Sequence, residues 1–78
     1  MYEVLAPNLG QSNSDITIEQ WFKAEGDHIN AEEELFEMSN LKLNQEVTVP
    51  VSGTIVKLYF QEGDEVPPGT KVADIEED

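Results

Sequence analysis

Apolar and polar residues alternate in short stretches along the chain, and Gly, Pro or Asn bounds each stretch. The clearest stretches are residues 3–6, 46–49 and 54–60, which are rich in β-branched and aromatic side chains. Alternation with a period of two places every second side chain on the same face, which is typical of a strand with one buried face. The pattern therefore predicts a chain of short β-strands joined by turns.

The sequence also contains an internal repeat. The tripeptide Glu-Gly-Asp occurs at residues 25–27 and again at residues 62–64, an offset of 37 positions. Upstream, residues 3–10 resemble residues 46–53 at an offset of 43 positions. Two copies of a solenoid or propeller unit would leave both ends of the stack exposed. We therefore predict two similar halves that close on each other.

The two offsets differ by six residues, which marks an insertion in the first copy: the polar loop 11–16. The length of 78 residues is that of one small domain. We predict a single domain over residues 1–78, with halves at about 1–39 and 44–78.

Residues 30–36 could be helical by composition, but the repeat argues against a long helix there. Their counterpart contains Pro67-Pro68-Gly69, which a helix interior does not accommodate. We predict a turn followed by a strand at residues 34–39. Four strands in each half give an all-β fold, a flattened barrel or sandwich of two four-stranded antiparallel sheets with pseudo-twofold symmetry. The predicted core consists of apolar residues shared by both halves: Val4, Val47, Ile18, Ile55, Ile29, Val66, Leu35, Val72, Met38 and Ile75.

The chain is strongly acidic. Its basic residues are 4 Lys against 17 Asp and Glu, which gives a formal net charge of −13. Phosphate backbones and anionic lipid head groups are bound by clustered basic side chains, so nucleic acid and membrane surfaces are excluded as partners. We expect a monomer. In the acidic segment 74–78 we expect a strand to end at Ile75 and to run into a solvated linker or the chain terminus.

Few residues are suited to catalysis. The chain has no cysteine, which excludes disulfides, thiolate metal sites and a cysteine nucleophile. Its single histidine, His28, follows a turn-like Gly-Asp, so we expect an exposed turn residue and not part of a Ser-His-Asp site. We predict neither a catalytic residue nor a metal site.

Targeting and membrane signals are also missing from the sequence. The first ten residues lack the basic start and apolar run of a signal peptide. No stretch reaches the ~18 apolar residues of a membrane-spanning helix. We expect a location in the cytoplasm of a bacterium or archaeon, or in the mitochondrial matrix if the domain is cut from a longer chain.

One lysine stands at the joint between the two halves. Lys42 lies between the last predicted strand of the first half and the first strand of the second, where a two-sheet fold requires a tight hairpin. Lys23 and Lys57 fall in expected strands and Lys71 follows a turn. Lys42 is either the target of a modifying enzyme or an ordinary solvated charge.

One set of residues stands at a characteristic spacing: Leu35-Phe36-Glu37, Lys42, Glu46-Val47, Pro50, Gly53, Glu62-Gly63-Asp64 and Val66. With this set, essentially the whole chain resembles the biotinyl/lipoyl carrier domain family. It is most similar to the lipoyl domain of acyltransferase components of 2-oxo acid dehydrogenase complexes. The resemblance implies that Lys42, at the tip of a hairpin, is the site of covalent attachment.

The residues beside Lys42 leave the prosthetic group open. Lipoyl domains usually have Asp-Lys-Ala and biotin carriers Met-Lys-Met, whereas this chain has Leu41-Lys42-Leu43. Two large apolar neighbours favour biotin, but the inserted loop 11–16 resembles the loop of lipoyl domains that lies beside the lysine. We favour lipoate on Lys42. The alternatives are a biotin carboxyl carrier with biotin on Lys42 and an unmodified β-sandwich that acts as an interaction module.

The lipoyl resemblance implies a carrier that is the substrate of other enzymes and not an enzyme itself, either alone or as part of a larger acyltransferase chain. Its partners would be a lipoate-attaching enzyme, a thiamin-dependent 2-oxo acid decarboxylase, an acyltransferase core and a flavin-dependent dihydrolipoamide dehydrogenase. Asn40, Leu41 and Leu43 would contribute to recognition at the hairpin. The acidic surface would either select partners or keep the domain soluble.

Overall fold

A computed structural model of the protein describes residues 1–7, 15–40 and 44–78. These residues form two antiparallel sheets of four strands each and no helix. We call them sheet 1, with the order β1-β8-β6-β3, and sheet 2, with the order β5-β4-β2-β7. The all-β, two-sheet prediction is confirmed. The strands are β1 (Tyr2–Leu5), β2 (Ile16–Trp21), β3 (His28–Ile29), β4 (Glu34–Ser39), β5 (Asn44–Thr48), β6 (Gly53–Leu58), β7 (Glu65–Val66) and β8 (Lys71–Glu77).

The order of the strands has the predicted twofold pseudosymmetry. Replacing each strand of sheet 1 by the equivalent strand of the other half converts its order into that of sheet 2. The hydrogen bonds between the halves repeat as well: Gly26 N donates to Ile55 O at 2.8 Å, and Gly63 N donates to Ile18 O at 2.7 Å. Each half therefore completes both sheets of the other.

The two Glu-Gly-Asp segments form equivalent turns. Gly26 and Gly63 have φ angles of 93° and 92°, in the left-handed region that glycine adopts without a steric penalty. The carboxylates of Asp27 and Asp64 each accept a hydrogen bond from the backbone N–H three residues earlier, at 2.9 and 2.8 Å. This is the local hydrogen bonding that favours Asp in turns.

The core lies between the sheets, and nine of the ten predicted core residues are buried in it. The exception is Val47, which is half-buried and packs against the core from β5. Its counterpart Val4 is buried although β1 and β5 are both edge strands, so position at a sheet edge does not explain the difference. The buried apolar residues are Val4, Ala6, Ile16, Ile18, Ile29, Leu35, Phe36, Met38, Val49, Ile55, Val66, Val72, Ala73 and Ile75.

The prediction that the last strand ends at Ile75 is wrong, although residues 76–78 are exposed as expected. Strand β8 extends to Glu77, and Asp74 is only 8% exposed. The strand lies inside sheet 1, where Asp74 is opposite Glu3 on β1 and Lys57 on β6. Beyond Ile75 the chain stays in the sheet through β6, where Glu76 is opposite Thr54 and Glu77 is opposite Gly53.

Two further expectations need correction. His28 is exposed, as expected, but it lies in β3 and pairs with Thr54, because the turn ends one residue earlier. Lys23 lies in the bend after β2 and not in a strand. In the part of the chain that the structure describes, no helix is long and apolar enough to cross a membrane.

Candidate functional site

The joint between the two halves is flanked by strands that pair directly with each other. Strand β4 is antiparallel to β5, with Ser39 opposite Asn44 and Met38 opposite Gln45. This is the pairing that the predicted hairpin requires. Of the predicted site residues, Asn40 is described and is half-buried. Leu41, Lys42 and Leu43 lie outside the described residues, so the position of Lys42 at a hairpin tip stays a prediction.

The outer face of sheet 2 next to this joint is acidic. Glu37 on β4 is directly opposite Glu46 on β5. Ser39 faces the same side, since it is two residues further along β4, and its hydroxyl donates a hydrogen bond to the carboxylate of Glu19 on β2. Facing like charges disfavour the pairing of strands. The fold tolerates this repulsion because the side chains on this face are exposed or half-buried.

On the equivalent face of sheet 1, carboxylates are paired with neighbouring side chains. Asp74, the counterpart of Glu37, accepts a hydrogen bond from the Tyr59 hydroxyl, and its Oδ1 lies 3.4 Å from Lys71 Nζ. The Lys71 ammonium also lies 5.0 Å from the centre of the Tyr59 ring and 3.6 Å from the Glu3 carboxylate. These contacts are the reason that Asp74 is tolerated at a nearly buried position.

The same contacts shift the pKa values of this cluster. The hydrogen bond from Tyr59, with a further contribution from Lys71, holds the pKa of Asp74 below its usual value. The Tyr59–Asp74 hydrogen bond raises the pKa of Tyr59, and the hydrogen bonds to Tyr59 and Asp74 raise the pKa of Lys71. This cluster could not be predicted from the sequence, because no local pattern brings Tyr59 next to Asp74.

Two of the three described lysines are held in ion pairs. Besides Lys71, the Lys23 ammonium lies 3.0 Å from the carboxylate of Glu33. A hydrogen bond from the Asn30 backbone and the contact with Lys23 lower the pKa of Glu33. Lys57 is exposed on β6, where it is opposite Asp74. Lys23 and Lys71 are therefore engaged in holding the fold.

Asp78 lies far from the joint between β4 and β5. Asp78 N donates to Ser52 O at 3.0 Å, and the Ser52 hydroxyl accepts from Ala31 N at 2.8 Å. Ala31 belongs to the turn that leads into the start of β4, whereas Ser39 ends this strand. At ~3.3 Å per residue, the length of β4 separates the two ends of the sheet by roughly 17 Å. The carboxylate of Asp78 also lies 2.9 Å from His28 Nε2.

Metal binding finds no support among the residues described. No group of three or more His, Cys, Asp or Glu side chains within 1–7, 15–40 and 44–78 is arranged to hold a metal ion. The carboxylates of sheet 2 are distributed over several strands and do not converge on a point.

The chain is similar to components of two 2-oxo acid dehydrogenase complexes. It is 37% identical over 75 residues to the dihydrolipoyllysine-residue succinyltransferase component of the 2-oxoglutarate dehydrogenase complex of Rickettsia bellii, and the match covers 96% of this chain and 19% of the relative. It is 42% identical over 73 residues to the dihydrolipoyllysine-residue acetyltransferase component of the pyruvate dehydrogenase complex of Corynebacterium glutamicum, covering 94% of this chain and 11% of the relative. The chain thus spans less than a fifth of the length of these relatives.

A solved structure and a family model agree with these matches. The fold is similar to the solution structure of the lipoyl domain of the 2-oxoglutarate dehydrogenase complex from Azotobacter vinelandii, with a TM-score of 0.81, 27% identity, and coverage of 96% of this chain and 95% of that one. The model of the Biotin_lipoyl family, described as "Biotin-requiring enzyme", matches residues 2–75. On both sequence and fold, the chain belongs to the Biotin_lipoyl family, as its resemblance to carrier domains predicted.

Proposed function

We propose that this chain is a lipoyl carrier domain of a 2-oxo acid dehydrogenase complex, with lipoate joined to Lys42 by an amide bond. The observation that carries the proposal is the match to a lipoyl domain over nearly the full length of both chains. The names of the two relatives, which are dihydrolipoyllysine-residue acyltransferase components, favour lipoate over biotin.

Lys42 is the lysine best suited to attachment. Lys23 and Lys71 are engaged in ion pairs with acidic side chains. Lys57 lies within β6, whose backbone is paired with β8. Lys42 belongs to the short segment between two paired strands, and a primary amine is the group required to form an amide with a carboxylic acid. In this reaction Lys42 Nζ bonds to the activated carboxyl carbon of lipoate and loses a proton, while the activating group leaves with its electron pair.

The two sheets supply a rigid base for this lysine. Strand β4, which precedes it, lies between β5 and β2, so backbone hydrogen bonds hold it on both sides. Seven apolar side chains of sheet 2 and the segments flanking it are fully buried beneath this base: Ile16, Ile18, Leu35, Phe36, Met38, Val49 and Val66. A stiff base limits the conformations that a partner enzyme must select when it binds the modified lysine.

When bound, lipoamide supplies a disulfide that accepts an acyl group together with two electrons. The role of the chain is to hold this group and present it in turn to a thiamin-dependent decarboxylase, an acyltransferase core and a flavin-dependent dihydrolipoamide dehydrogenase. Tethering raises the effective concentration of the group at each active site. The domain is thus a substrate of its partners and not a catalyst, and it works in the cytoplasm or the mitochondrial matrix.

Intact-mass measurement tests the proposal. The protein is expressed with a lipoate-attaching enzyme and a biotin-attaching enzyme, with both vitamins supplied. We expect a gain of about 188 Da, the mass of lipoate less water, on the wild-type chain and on Lys57→Arg, and no gain on Lys42→Arg. A gain of about 226 Da would identify a biotin carrier instead. An unmodified chain would identify an interaction module, and a gain that persists in Lys42→Arg would overturn the assignment of the lysine.

A further inference from the structure

The last residue of β4 is held by its side chain as well as by its backbone. Ser39 lies opposite Thr17 on β2 and opposite Asn44 on β5. Its hydroxyl also donates to the carboxylate of Glu19, which lies on β2. Hydrogen bonds to a charged acceptor are stronger than those between neutral groups. Ser39 is therefore fixed at the point where the chain leaves the sheet towards Lys42.

Glu19 lies at a β-bulge in β2. The register between β2 and β4 shifts between Ile18 and Gln20, so that Glu19 is the extra residue. Bulges of this kind redirect a side chain and are common beside functional sites. Glu19 is two residues along β2 from Thr17, which is opposite Ser39, so the alternation of side chains also favours their contact.

The second half of the chain has the same bulge but not the same contact. The register between β6 and β8 shifts between Ile55 and Lys57, which makes Val56 the counterpart of Glu19. Val56 is 43% exposed and has no group that accepts a hydrogen bond. The counterpart of Ser39 is Glu76, which has no hydroxyl to donate. The polar link is present only in the half that leads into the segment with Lys42.

We infer that Glu19 and Ser39 are positioning residues for the modification of Lys42, an inference that rests on the proposed function. Neither residue reacts with lipoate in this scheme. Their hydrogen bond fixes where β4 ends, and Lys42 follows three residues later. A modifying enzyme must hold the lysine amine in line with the activated carboxyl group, and small displacements of a reacting group lower the rate of such reactions sharply.

The test uses substitutions that differ in the hydroxyl or the carboxylate alone. Ser39→Thr keeps the hydroxyl, and Ser39→Val has nearly the same shape without it. Glu19→Val places at the first bulge the residue that the second bulge already has. Glu37→Val removes a carboxylate from the same face of sheet 2 without breaking the bond to Ser39. The assay is the initial rate of mass gain with lipoic acid, ATP and a lipoate-attaching ligase.

We expect kcat/KM for attachment to fall about tenfold in Ser39→Val and in Glu19→Val. Ser39→Thr and Glu37→Val should stay within about twofold of wild type. The double variant of Glu19→Val with Ser39→Val should be no slower than the slower single variant, because both remove the same interaction. Amide hydrogen exchange at Asn44, which is opposite Ser39, should accelerate in Ser39→Val and Glu19→Val. It should not change in Ser39→Thr or Glu37→Val.

Equal rates for Ser39→Thr and Ser39→Val would overturn the inference, because the hydroxyl would then have no role. A loss in Glu37→Val as large as that in Glu19→Val would also overturn it, since charge alone would then explain the effect. If the wild-type chain is not modified by the ligase at all, the proposed function fails. The exchange rates at Asn44 still report in that case whether the Glu19–Ser39 bond fixes the end of β4.

Discussion

Glu32 and Gly69 occupy the same position in the two halves and share a backbone conformation that is unusual for glutamate. Their φ angles are 69° and 89°. Each donates its backbone N–H across to the other half, Glu32 to Val49 O and Gly69 to Ala6 O. The turn conformation is therefore imposed by the contact between the halves. In the first half a glutamate adopts this conformation, although glycine is the residue that favours it.

The first prediction is that Glu32→Gly stabilises the domain. A non-glycine residue in the left-handed region costs roughly 1–2 kcal/mol, and the extra flexibility of glycine in the unfolded chain offsets part of the gain. We expect the free energy of unfolding to rise by about 0.5–1 kcal/mol, measured by urea denaturation of the purified domain.

The matched control is Gly69→Ala. A Cβ at Gly69 would meet no atom within 4 Å, so the change tests the backbone conformation alone. It should lower the free energy of unfolding by about 1–2 kcal/mol. A destabilised Glu32→Gly variant would contradict the prediction and would mean that the Glu32 side chain contributes more than its backbone strain costs.

Most of the fold could be predicted because each local pattern occurs in two copies, and an interpretation must fit both copies. The predicted bounds of strand β4 agree with the observed ones. They follow from the equivalent segment of the other half, because Pro67-Pro68-Gly69 excludes a helix there. The position of Val47 could not be predicted in the same way. Its apolar side chain matches Val4 and both residues lie on edge strands, yet only Val4 is fully buried, so the difference comes from packing between distant residues that the repeat does not encode.

The polar contacts were beyond sequence reasoning for a related reason. Asp74 reads as part of an acidic tail until Tyr59, fifteen residues earlier, is seen to donate to it. Glu19 and Ser39 lie on different strands and meet only once β2 pairs with β4, and nothing in the alternation of apolar and polar residues marks the bulge at Glu19. The proposal that Lys42 is the attachment site rests on its place between the repeats, which needs no side-chain geometry.

The second prediction concerns Gly53, whose role differs from that of the turn glycines. A Cβ at this position would lie 2.2 Å from the backbone oxygen of Glu76 on the neighbouring strand β8. Backbone atoms cannot rotate away, so Gly53→Ala must separate β6 from β8. We expect a loss of about 3 kcal/mol or more in the free energy of unfolding, measured by urea denaturation.

Gly63→Ala is the comparison for this prediction. Gly63 has a φ of 92°, but a Cβ at this position would meet no atom within 4 Å. The substitution should therefore lower the free energy of unfolding by only about 1–2 kcal/mol. If both variants lost the same amount, the close approach of β6 to β8 would not be what requires glycine at position 53.

The third prediction is that Tyr59→Phe makes the domain more sensitive to acid. The Tyr59 hydroxyl is the largest cause of the lowered pKa of Asp74, whose usual value is 3.8. A carboxylate with a lowered folded-state pKa stabilises the fold fully above the unfolded value and loses this effect as the pH falls through the folded-state pKa. Removing the hydroxyl returns the pKa of Asp74 towards 3.8, so the midpoint of acid unfolding, followed by circular dichroism, should move to higher pH.

Phenylalanine is already present at the equivalent position of the first half, Phe22, so the fold accepts this side chain there. Tyr2→Phe is the control, because it removes a phenol hydroxyl from a neighbouring strand without touching the Tyr59–Asp74 bond. An acid midpoint that shifts equally in both variants would show that the bond to Asp74 is not the cause.

The fourth prediction follows from the net charge of −13 and rests on the proposed function. A strongly acidic carrier approaches a partner of complementary charge faster than diffusion alone allows, and salt screens this attraction as the Debye length falls from ~30 Å at 0.01 M to ~8 Å at physiological ionic strength. We expect kcat/KM for reductive acylation of the lipoylated domain by its decarboxylase to fall as salt rises over this range. Free lipoamide, which carries no such charge, is the control for effects of salt on the decarboxylase itself. If the domain and free lipoamide respond to salt alike, the acidic surface has no part in the encounter and its effect is limited to solubility.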